Sequence, residues 1–255
     1  MSPPRVTPLE PPYPAEMQAD FDKLMRGAAP LVLFRTIARN PRVLQRFMAG
    51  ALLDRGSITL RSRELMILRT CARCGAEYEW GVHVAVFGKK AEWTGEQLQS
   101  TVHGGAADAC WSAEDRLVIQ LADRLHDTNG VDDDLWRDLA AHFAQEQLIE
   151  LVVLAGLYHS VSYLINAMRV QPEAFAPRFR DWSLQPAIGP VAIATAEIPL
   201  GRFRQPVKPP FVPRVGVAVS GSARSRGRSA SPGRRSGPGA VPMRRNRPGR
   251  GAGPG

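Results

Sequence analysis

The chain has 255 residues and a formal net charge of +9, which is unevenly distributed along the sequence. Residues 183–255 hold thirteen basic side chains and one acidic side chain, so 20 basic and 23 acidic side chains remain in residues 1–182. The net charge of that part is −3, and the basic character of the whole chain therefore gives no argument that the folded part binds nucleic acid.

The start of the sequence is Pro-rich and polar, and it lacks the charged and apolar regions of a secretory signal. The chain has three cysteines, an odd number that fits reduced thiols better than a disulfide framework. Both observations favour a cytoplasmic protein.

Apolar residues recur at helical spacing throughout residues 13–182, after a lead at 1–12 that we expect to be flexible. The predicted helices cover residues 16–26, 31–40, 41–54, 62–74, 95–102, 113–127, 131–143 and 145–169, and a further helix that follows Gly75 contains Trp80, Val84 and Phe87. Thr94 and Ser112 are good N-caps for two of them. No segment alternates long enough to predict a strand, so we expect an all-α bundle.

The last predicted helix contains eighteen consecutive residues, 151–168, without an acidic residue, Lys or Arg. This length just reaches that of a membrane span. His159, Ser160, Ser162 and Asn166 would then need partners within the lipid, which is costly. We therefore favour a core helix, or a helix buried at a subunit contact, and no membrane partner.

Residues 183–255 consist largely of Gly, Pro, Ser, Arg and Ala, with too little apolar surface to offset the entropy of folding. We expect this segment to be a disordered basic tail. Such a tail can bind nucleic acid or an acidic surface, but no aromatic residue alternates with its arginines to stack on bases. A dispensable extension is therefore the favoured interpretation, and nucleic acid is an unlikely partner except through this tail.

Glu79 and His83 stand four residues apart on one predicted helix, so their side chains can touch and form an acid–base pair. The alternative is an exposed pair that stabilises the helix by a few tenths of a kcal/mol. On the last helix, His159 and Tyr163 belong to a polar stripe that either faces a pocket or forms hydrogen bonds across a subunit contact. His126 is assigned, like His142, to the surface or to a satisfied core position.

Cys71 and Cys74 form a CxxC pair inside a predicted helix, at i and i+3. A structural zinc site needs four ligands, and the further candidates considered were His83, His103 and Cys110. We expect no metal site from this set. A redox dithiol is possible because CxxC thiols can have lowered pKa values, but core packing is favoured.

The segment RELMILRTCARCGAEYEWGVHVAVFGKKAEWTGEQL resembles the carboxymuconolactone decarboxylase family, within the AhpD-like superfamily. The resemblance rests on Glu64, the run Tyr78-Glu79-Trp80-x-x-His83, Gly88 and the helix around Glu96, and it covers residues 35–110 well. It implies an AhpD-like helical bundle for residues 13–182 that assembles as a trimer or hexamer.

In the peroxidase branch of that superfamily, the Glu is followed after twelve positions by a catalytic cysteine, after three more by a second, and after four more by a histidine. Counted from Glu64, these positions hold Ala76, Glu79 and His83. Cys71 and Cys74 have the right mutual spacing but lie five residues too early. A thiol peroxidase using Cys71 and Cys74 is therefore the alternative interpretation.

The resemblance to the decarboxylase branch implies loss of CO₂ from a small lactone or carboxylic acid without a metal or an organic cofactor. His83 is the expected acid–base group, Glu79 its partner or the proton donor, and Glu64 the orienting carboxylate. Tyr78 and Trp80 are expected to be pocket walls or core anchors, and His159 and Tyr163 further pocket candidates. A third possibility is a non-enzymatic binding protein that contacts an acidic partner through its tail.

Overall fold

The structure is a computed structural model that describes residues 2–50 and 52–182, so the predicted disordered tail at 183–255 lies outside the described residues. The described part is helical and contains no strand, which confirms the all-α prediction. Its helices are α1 Ala15–Met25, α2 Val32–Ile37, α3 Pro41–Ala49, α4 Leu60–Arg73, α5 Glu77–Phe87, α6 Gly95–His103, α7 Ala113–Thr128, α8 Asp133–His142 and α9 Gln145–Met168, followed by a 3₁₀-helix at Phe179–Trp182.

The predicted caps define several helix starts. Thr94 and Ser112 each form a capping box. The side chain of the cap accepts a hydrogen bond from the backbone amide of the third helical residue, and the side chain of that residue accepts one from the backbone amide of the cap. The structure differs for α3, which ends at Ala49 and does not continue through residue 54. Gly50 caps it outside helical geometry, and Leu52 has a φ of +47°, which a right-handed helix cannot contain.

Helix α4 lies at the centre of the fold and packs against α5, α6, α7 and α9. Ten consecutive residues, Ser62–Cys71, are buried, including the charged Arg63, Glu64 and Arg69. Buried charges require partners, and each of these three has one on the protein itself. The charged residues of the central helix are therefore held inside the core by polar contacts.

Helix α9 packs against α4, α5, α7 and α8 and buries eight of its residues. By length and composition alone it could also cross a membrane, and about 44% of its most apolar window is buried. Its outward side carries the exposed apolar residues Ile149, Val153 and Tyr163. The helix thus has one face in the core and one apolar face without a partner in the described residues.

The lead at residues 2–12, which we expected to be flexible, has no regular secondary structure but is hydrogen-bonded to the bundle. The Arg5 amide donates to the Met168 carbonyl at 2.9 Å, and the Leu9 amide donates to the Arg35 carbonyl at 3.1 Å. The Arg35 guanidinium pairs with Glu10 at 2.6 Å. These contacts attach the lead to α2 and to the end of α9.

Candidate functional site

The candidate acid–base residues come from two helices joined by a short connection. Glu64 lies in the buried part of α4, and Glu79 and His83 lie on α5. Between them Gly75 adopts a φ of +64°, a left-handed conformation that favours glycine and lets the chain reverse direction. The turn brings α5 back against α4, so that residues far apart in sequence can meet.

The His83 ring lies at the centre of a buried polar network. Its Nδ1 is 2.7 Å from Glu64 Oε2, and its Nε2 is 3.0 Å from the Tyr158 hydroxyl and 3.5 Å from Glu79 Oε1. All four residues are buried, Glu79 being the most exposed at 8%. The interpretation of Glu79 and His83 as an exposed helix pair is therefore wrong, because the packing of α4 and α9 covers both.

The network favours a charged imidazole. Burial opposes the charge on His83, but the neighbouring carboxylates of Glu64 and Glu79 outweigh it and raise the pKa of His83 to about 9. Burial, and then Glu79 and Glu64, raise the pKa of Tyr158 well above its usual range, so its hydroxyl stays protonated. At neutral pH an imidazolium therefore donates Nδ1–H to Glu64 and presents Nε2–H to Tyr158 and Glu79.

Arg63 completes the network from the side of Glu64. Its Nε and Nη2 donate to Glu64 Oε1 at 2.9 and 2.7 Å, and its Nη1 donates to the Leu53 carbonyl at 2.8 Å. The guanidinium lies 5.1 Å from the centre of the Phe87 ring, which stacks on His83. Glu64 is thus shared between two cations, which fixes its orientation.

Tyr158 and Arg63 are site residues that sequence reasoning missed. Arg63 is adjacent to Glu64 and has no spacing signal of its own. Tyr158 precedes His159 on α9, and a tyrosine on a mostly apolar helix was the available signal. The polar stripe containing His159 and Tyr163 lies on a different face of α9 from Tyr158.

Tyr78 and Trp80, both considered as pocket residues, are placed away from His83 as core anchors. The Tyr78 hydroxyl donates to Glu173 at 2.7 Å and accepts from the Leu33 amide at 3.1 Å. Trp80 is fully buried, and its indole nitrogen donates to Thr101 at 3.0 Å. Their contacts join α5 to other elements and do not involve the His83 network.

His159 and Tyr163 border a cavity of about 300 Å³ that is separate from the His83 network. Its lining residues are Arg73, Cys74, His126, Asn129, His159, Tyr163 and Asn166. A second cavity of about 500 Å³ is bordered by Tyr13, Arg35 and Glu173, among others. Neither of these two cavities is lined by a member of the His83 network, whose four residues are all buried.

The two cysteines of the CxxC pair have different environments, and both are free thiols. Cys71 is completely buried in α4, and burial raises the pKa of its thiol well above the usual value. Cys74 caps α4 at the edge of the smaller cavity, and burial also raises the pKa of its thiol. A reactive thiol is normally favoured by a lowered pKa, so neither environment activates a thiolate.

Comparison with known proteins agrees with this architecture. Residues 39–123 match the model of the carboxymuconolactone decarboxylase family. No curated protein matches the chain. Solved structures do match: an uncharacterized peroxidase-related protein from Silicibacter sp. TM1040 is 17% identical with a TM-score of 0.60, and the match covers 71% of this chain and 97% of that chain.

Two further structures share the fold. The alkylhydroperoxidase AhpD core protein from Ralstonia eutropha JMP134 is 17% identical with a TM-score of 0.57, over 63% of this chain and 87% of that chain. The debrominase Bmp8, solved in complex with 2,3,4-tribromopyrrole, is 16% identical with a TM-score of 0.53, over 66% of this chain and 91% of that chain. Residues 39–123 are thus similar to the carboxymuconolactone decarboxylase family, and the described residues share the fold of these solved structures.

Proposed function

We propose that the protein is a lyase that decarboxylates a small lactone or carboxylic acid by acid–base catalysis, with His83 as the proton donor. The observation that carries the proposal is the buried His83 ring held between Glu64 at 2.7 Å and Tyr158 at 3.0 Å. A positioned proton donor with a pKa near or above neutrality suits the protonation of a carbanion.

In the proposed reaction, the bond between the substrate carbon and its carboxylate breaks and CO₂ leaves. The electron pair moves into an adjacent carbonyl group, forming an enolate. His83 Nε2 then gives its proton to the carbon, and the enolate returns to a carbonyl compound. Glu64 stays hydrogen-bonded to Nδ1 throughout and holds the ring in place, and water restores the lost proton.

Glu79 is the member of the network best placed to connect His83 with solvent. Its side chain is 10% exposed, and its Oε1 lies 3.5 Å from the nitrogen that loses the proton. We propose that it returns protons from water to Nε2 after each turnover. The Tyr158 hydroxyl contacts the same nitrogen and positions the developing enolate oxygen by hydrogen bonding.

Because His83 is only 4% exposed, the proposed reaction requires a local opening. Phe87 stacks on His83, and Arg63, which lies over the Phe87 ring, is hydrogen-bonded to Leu53 in the segment 52–59. The segment is attached at Ser57, whose amide and hydroxyl both donate to Glu150 at 2.6 Å. Opening on this side requires Arg63 to release its hydrogen bond to the Leu53 carbonyl and its two hydrogen bonds to Glu64 Oε1, while the attachment at Ser57 stays intact.

A thiol peroxidase is the second candidate, and one observation favours it. Cys74 borders a cavity, and its Sγ lies 3.7 Å from His126 Nδ1. In that reaction the Cys74 thiolate attacks the hydroperoxide oxygen and becomes a sulfenic acid while an alcohol leaves. Cys71 would then form a disulfide with Cys74 and release water. The complete burial of Cys71 makes this second step the less favoured part.

Self-association is also part of the proposal. The outward face of α9 exposes Ile149 at 65%, Val153 at 53% and Tyr163 at 67%. Exposed apolar side chains on one side of a helix are stabilised when a second surface covers them. We propose that copies of the chain associate through this face, and that the protein acts in the cytoplasm.

The experiment is a measurement of CO₂ release from a panel of small lactone carboxylic acids by the purified full chain. A substrate found in this way is then tested with His83→Asn and with His142→Asn, which replaces an exposed histidine on α8. We expect His83→Asn to lose at least about a hundredfold in kcat and His142→Asn to keep full activity. Circular dichroism checks that both variants fold.

The double variant Cys71→Ser/Cys74→Ser separates the two candidates. A decarboxylase of the proposed kind keeps its rate in this variant. Hydroperoxide reduction that is present in the parent protein and lost in the double variant would instead establish the thiol mechanism, and absence of CO₂ release from the whole panel would count against the lyase.

A further inference from the structure

A second group of reactive side chains lies outside the His83 network. Cys74 at the end of α4, His126 on α7 and His159 on α9 meet at the cavity of about 300 Å³. His126 Nδ1 is 3.2 Å from His159 Nε2 and 3.7 Å from Cys74 Sγ. One ligand atom from each residue lies within 4.8 Å of the other two. We refer to these three residues as the Cys-His-His cluster.

The rings of the cluster are held in a defined way. His159 Nδ1 lies 3.0 Å from the Ala155 carbonyl, so this nitrogen carries the hydrogen and the Nε2 lone pair faces the cluster. A histidine that ligates a metal commonly donates its other ring N–H to a backbone carbonyl in this manner. The Asn166 side chain donates to the Cys74 carbonyl at 2.8 Å and ties the end of α4 to α9.

The distances within the cluster fit a tetrahedral metal ion. Zinc bound at about 2.0–2.1 Å by nitrogen and about 2.3 Å by sulfur places two nitrogens about 3.3 Å apart and sulfur about 3.6 Å from nitrogen. The observed separations are 3.2 Å between the two nitrogens and 3.7 Å between sulfur and His126. The third pair, between Cys74 and His159, lies within 4.8 Å, so one ion could contact all three ligand atoms once that pair closes to about 3.6 Å.

We propose that the Cys-His-His cluster binds one divalent ion of the zinc class, with water in the fourth position. Thiolate and imidazole ligands select zinc and similar transition metals over magnesium or calcium. The three residues are only partly buried and line an open cavity, which leaves a coordination position accessible to solvent. This is the arrangement of a zinc site that keeps an open ligand position rather than a closed structural site.

The neighbouring Arg73 side chain does not prevent metal binding by the Cys-His-His cluster. Arg73 borders the same cavity, but its guanidinium is paired with Asp127 at 2.5 Å and lies 3.7 Å from Asp123. Binding replaces the thiol hydrogen of Cys74, which leaves as a proton, and the hydrogen on His126 Nδ1 moves to its other nitrogen. The bound ion then carries one thiolate and two neutral imidazoles.

Sequence reasoning missed this site because it tested Cys74 together with Cys71, as a CxxC motif. In the fold Cys71 is buried in the core and Cys74 is paired with histidines from two later helices. His126 had been assigned to the surface or to a satisfied core position. Neither histidine has metal-ligand spacing to Cys74 in the sequence, and only the packing of α4, α7 and α9 brings them together.

The test is a titration of the tag-free full chain with Co²⁺ under reducing conditions, followed by competition with Zn²⁺. We expect one ion per chain, a near-ultraviolet band from thiolate-to-cobalt charge transfer, and the strong visible bands of four-coordinate cobalt. Cys74→Ser should abolish the charge-transfer band. Loss of a residue that only hydrogen-bonds to a metal ligand typically weakens metal binding about 10–100-fold. His126 and His159 are proposed to be ligands themselves, so His126→Asn and His159→Asn should each weaken Co²⁺ binding by at least about tenfold.

Cys110→Ser and His142→Asn are the matched controls, since each removes the same chemical group outside the cluster, and they should bind as the parent does. The proposal is overturned if no stoichiometric Co²⁺ binding occurs, or if binding persists in Cys74→Ser with an unchanged spectrum. Thermal unfolding of each variant confirms that a lost site does not reflect a lost fold. The readout is independent of CO₂ release, so it stands or fails separately from the lyase proposal.

Discussion

His83 Nδ1 and Glu64 Oε2 are 2.7 Å apart inside the core, and the same carboxylate receives two hydrogen bonds from Arg63. Glu64 is therefore the group that keeps the His83 ring charged and oriented in a place where burial opposes a charge. The predictions below begin with this pair.

The first prediction concerns the charge on His83. Glu64→Gln removes the negative charge but keeps the shape of the side chain, so burial should dominate and lower the pKa of His83 from about 9. Nitrogen-15 NMR of the histidine rings against pH measures this directly. Glu146→Gln, at an exposed position in the first turn of α9, is the control and should leave the His83 titration unchanged.

The second prediction concerns stability against pH. The pKa of His83 is about 9 in the folded protein and about 6.5 in an unfolded chain. A raised pKa contributes stability that is fully present below about pH 6.5 and is lost as the pH rises through about 9. Denaturant unfolding of the parent should show a loss of a few kcal/mol across this window.

The same measurement on His83→Gln should show a smaller loss, because the titrating group is absent. His142→Asn should show the same loss as the parent. Equal pH dependence in the parent and in His83→Gln would mean that His83 is not charged in the folded protein.

Much of the His83 network could be predicted from the sequence. The four-residue spacing of Glu79 and His83 placed them on one helix face, and the resemblance pointed to Glu64. Tyr158 could not be found in this way, because its distance to His83 depends on how α9 crosses α5. His159 and Tyr163 are close to Tyr158 in sequence, but they border a different cavity.

The CxxC pair shows the opposite outcome. The motif suggests a pair of thiols that act together. In the helix, however, Cys71 is buried in the core and Cys74 lies at a cavity. Local spacing predicts which residues share a helix face. It does not predict which distant helices cover that face, and this determines the surroundings of both Cys74 and Tyr158.

The third prediction concerns Tyr158→Phe, which keeps the ring and removes the hydroxyl that lies 3.0 Å from His83 Nε2. The free energy of unfolding should fall by about 1.5–3 kcal/mol, the range for a hydrogen bond to a charged group such as the protonated His83 ring. With a substrate in hand, kcat should fall while KM changes little, because the hydroxyl is proposed to act on the enolate. Tyr13→Phe, at a tyrosine that packs against Phe21 outside the His83 network, is the control and should change neither quantity.

The fourth prediction concerns the other buried arginine of α4. Arg69 binds both oxygens of Asp123, at 2.6 and 2.9 Å, and donates to the carbonyls of Thr101 and Gly104. Arg69→Met leaves these acceptors without their donor, and breaking a buried pair costs about 3–5 kcal/mol. We expect a value near the lower end, since Asp123 is partly exposed at 24%.

Urea or guanidinium unfolding measures this change. The matched control is Arg137→Met, which breaks an ion pair with Asp134 whose side chains are 72% and 87% exposed. Pairs of that kind contribute less than about 1 kcal/mol. A similar effect of the two substitutions would show that Arg69 is not the central polar contact of α4.

The pH dependence of kcat for CO₂ release, measured from neutrality to above pH 9, tests the role of His83 most directly. If His83 donates the proton, the rate requires the imidazolium and should fall as the pH rises through the pKa of His83 in the substrate complex, near 9 in the free protein. His83→Asn should be slow at every pH and lack this fall. A rate that rises towards pH 9, or one that His83→Asn leaves unchanged, would contradict the assignment of His83 as the proton donor.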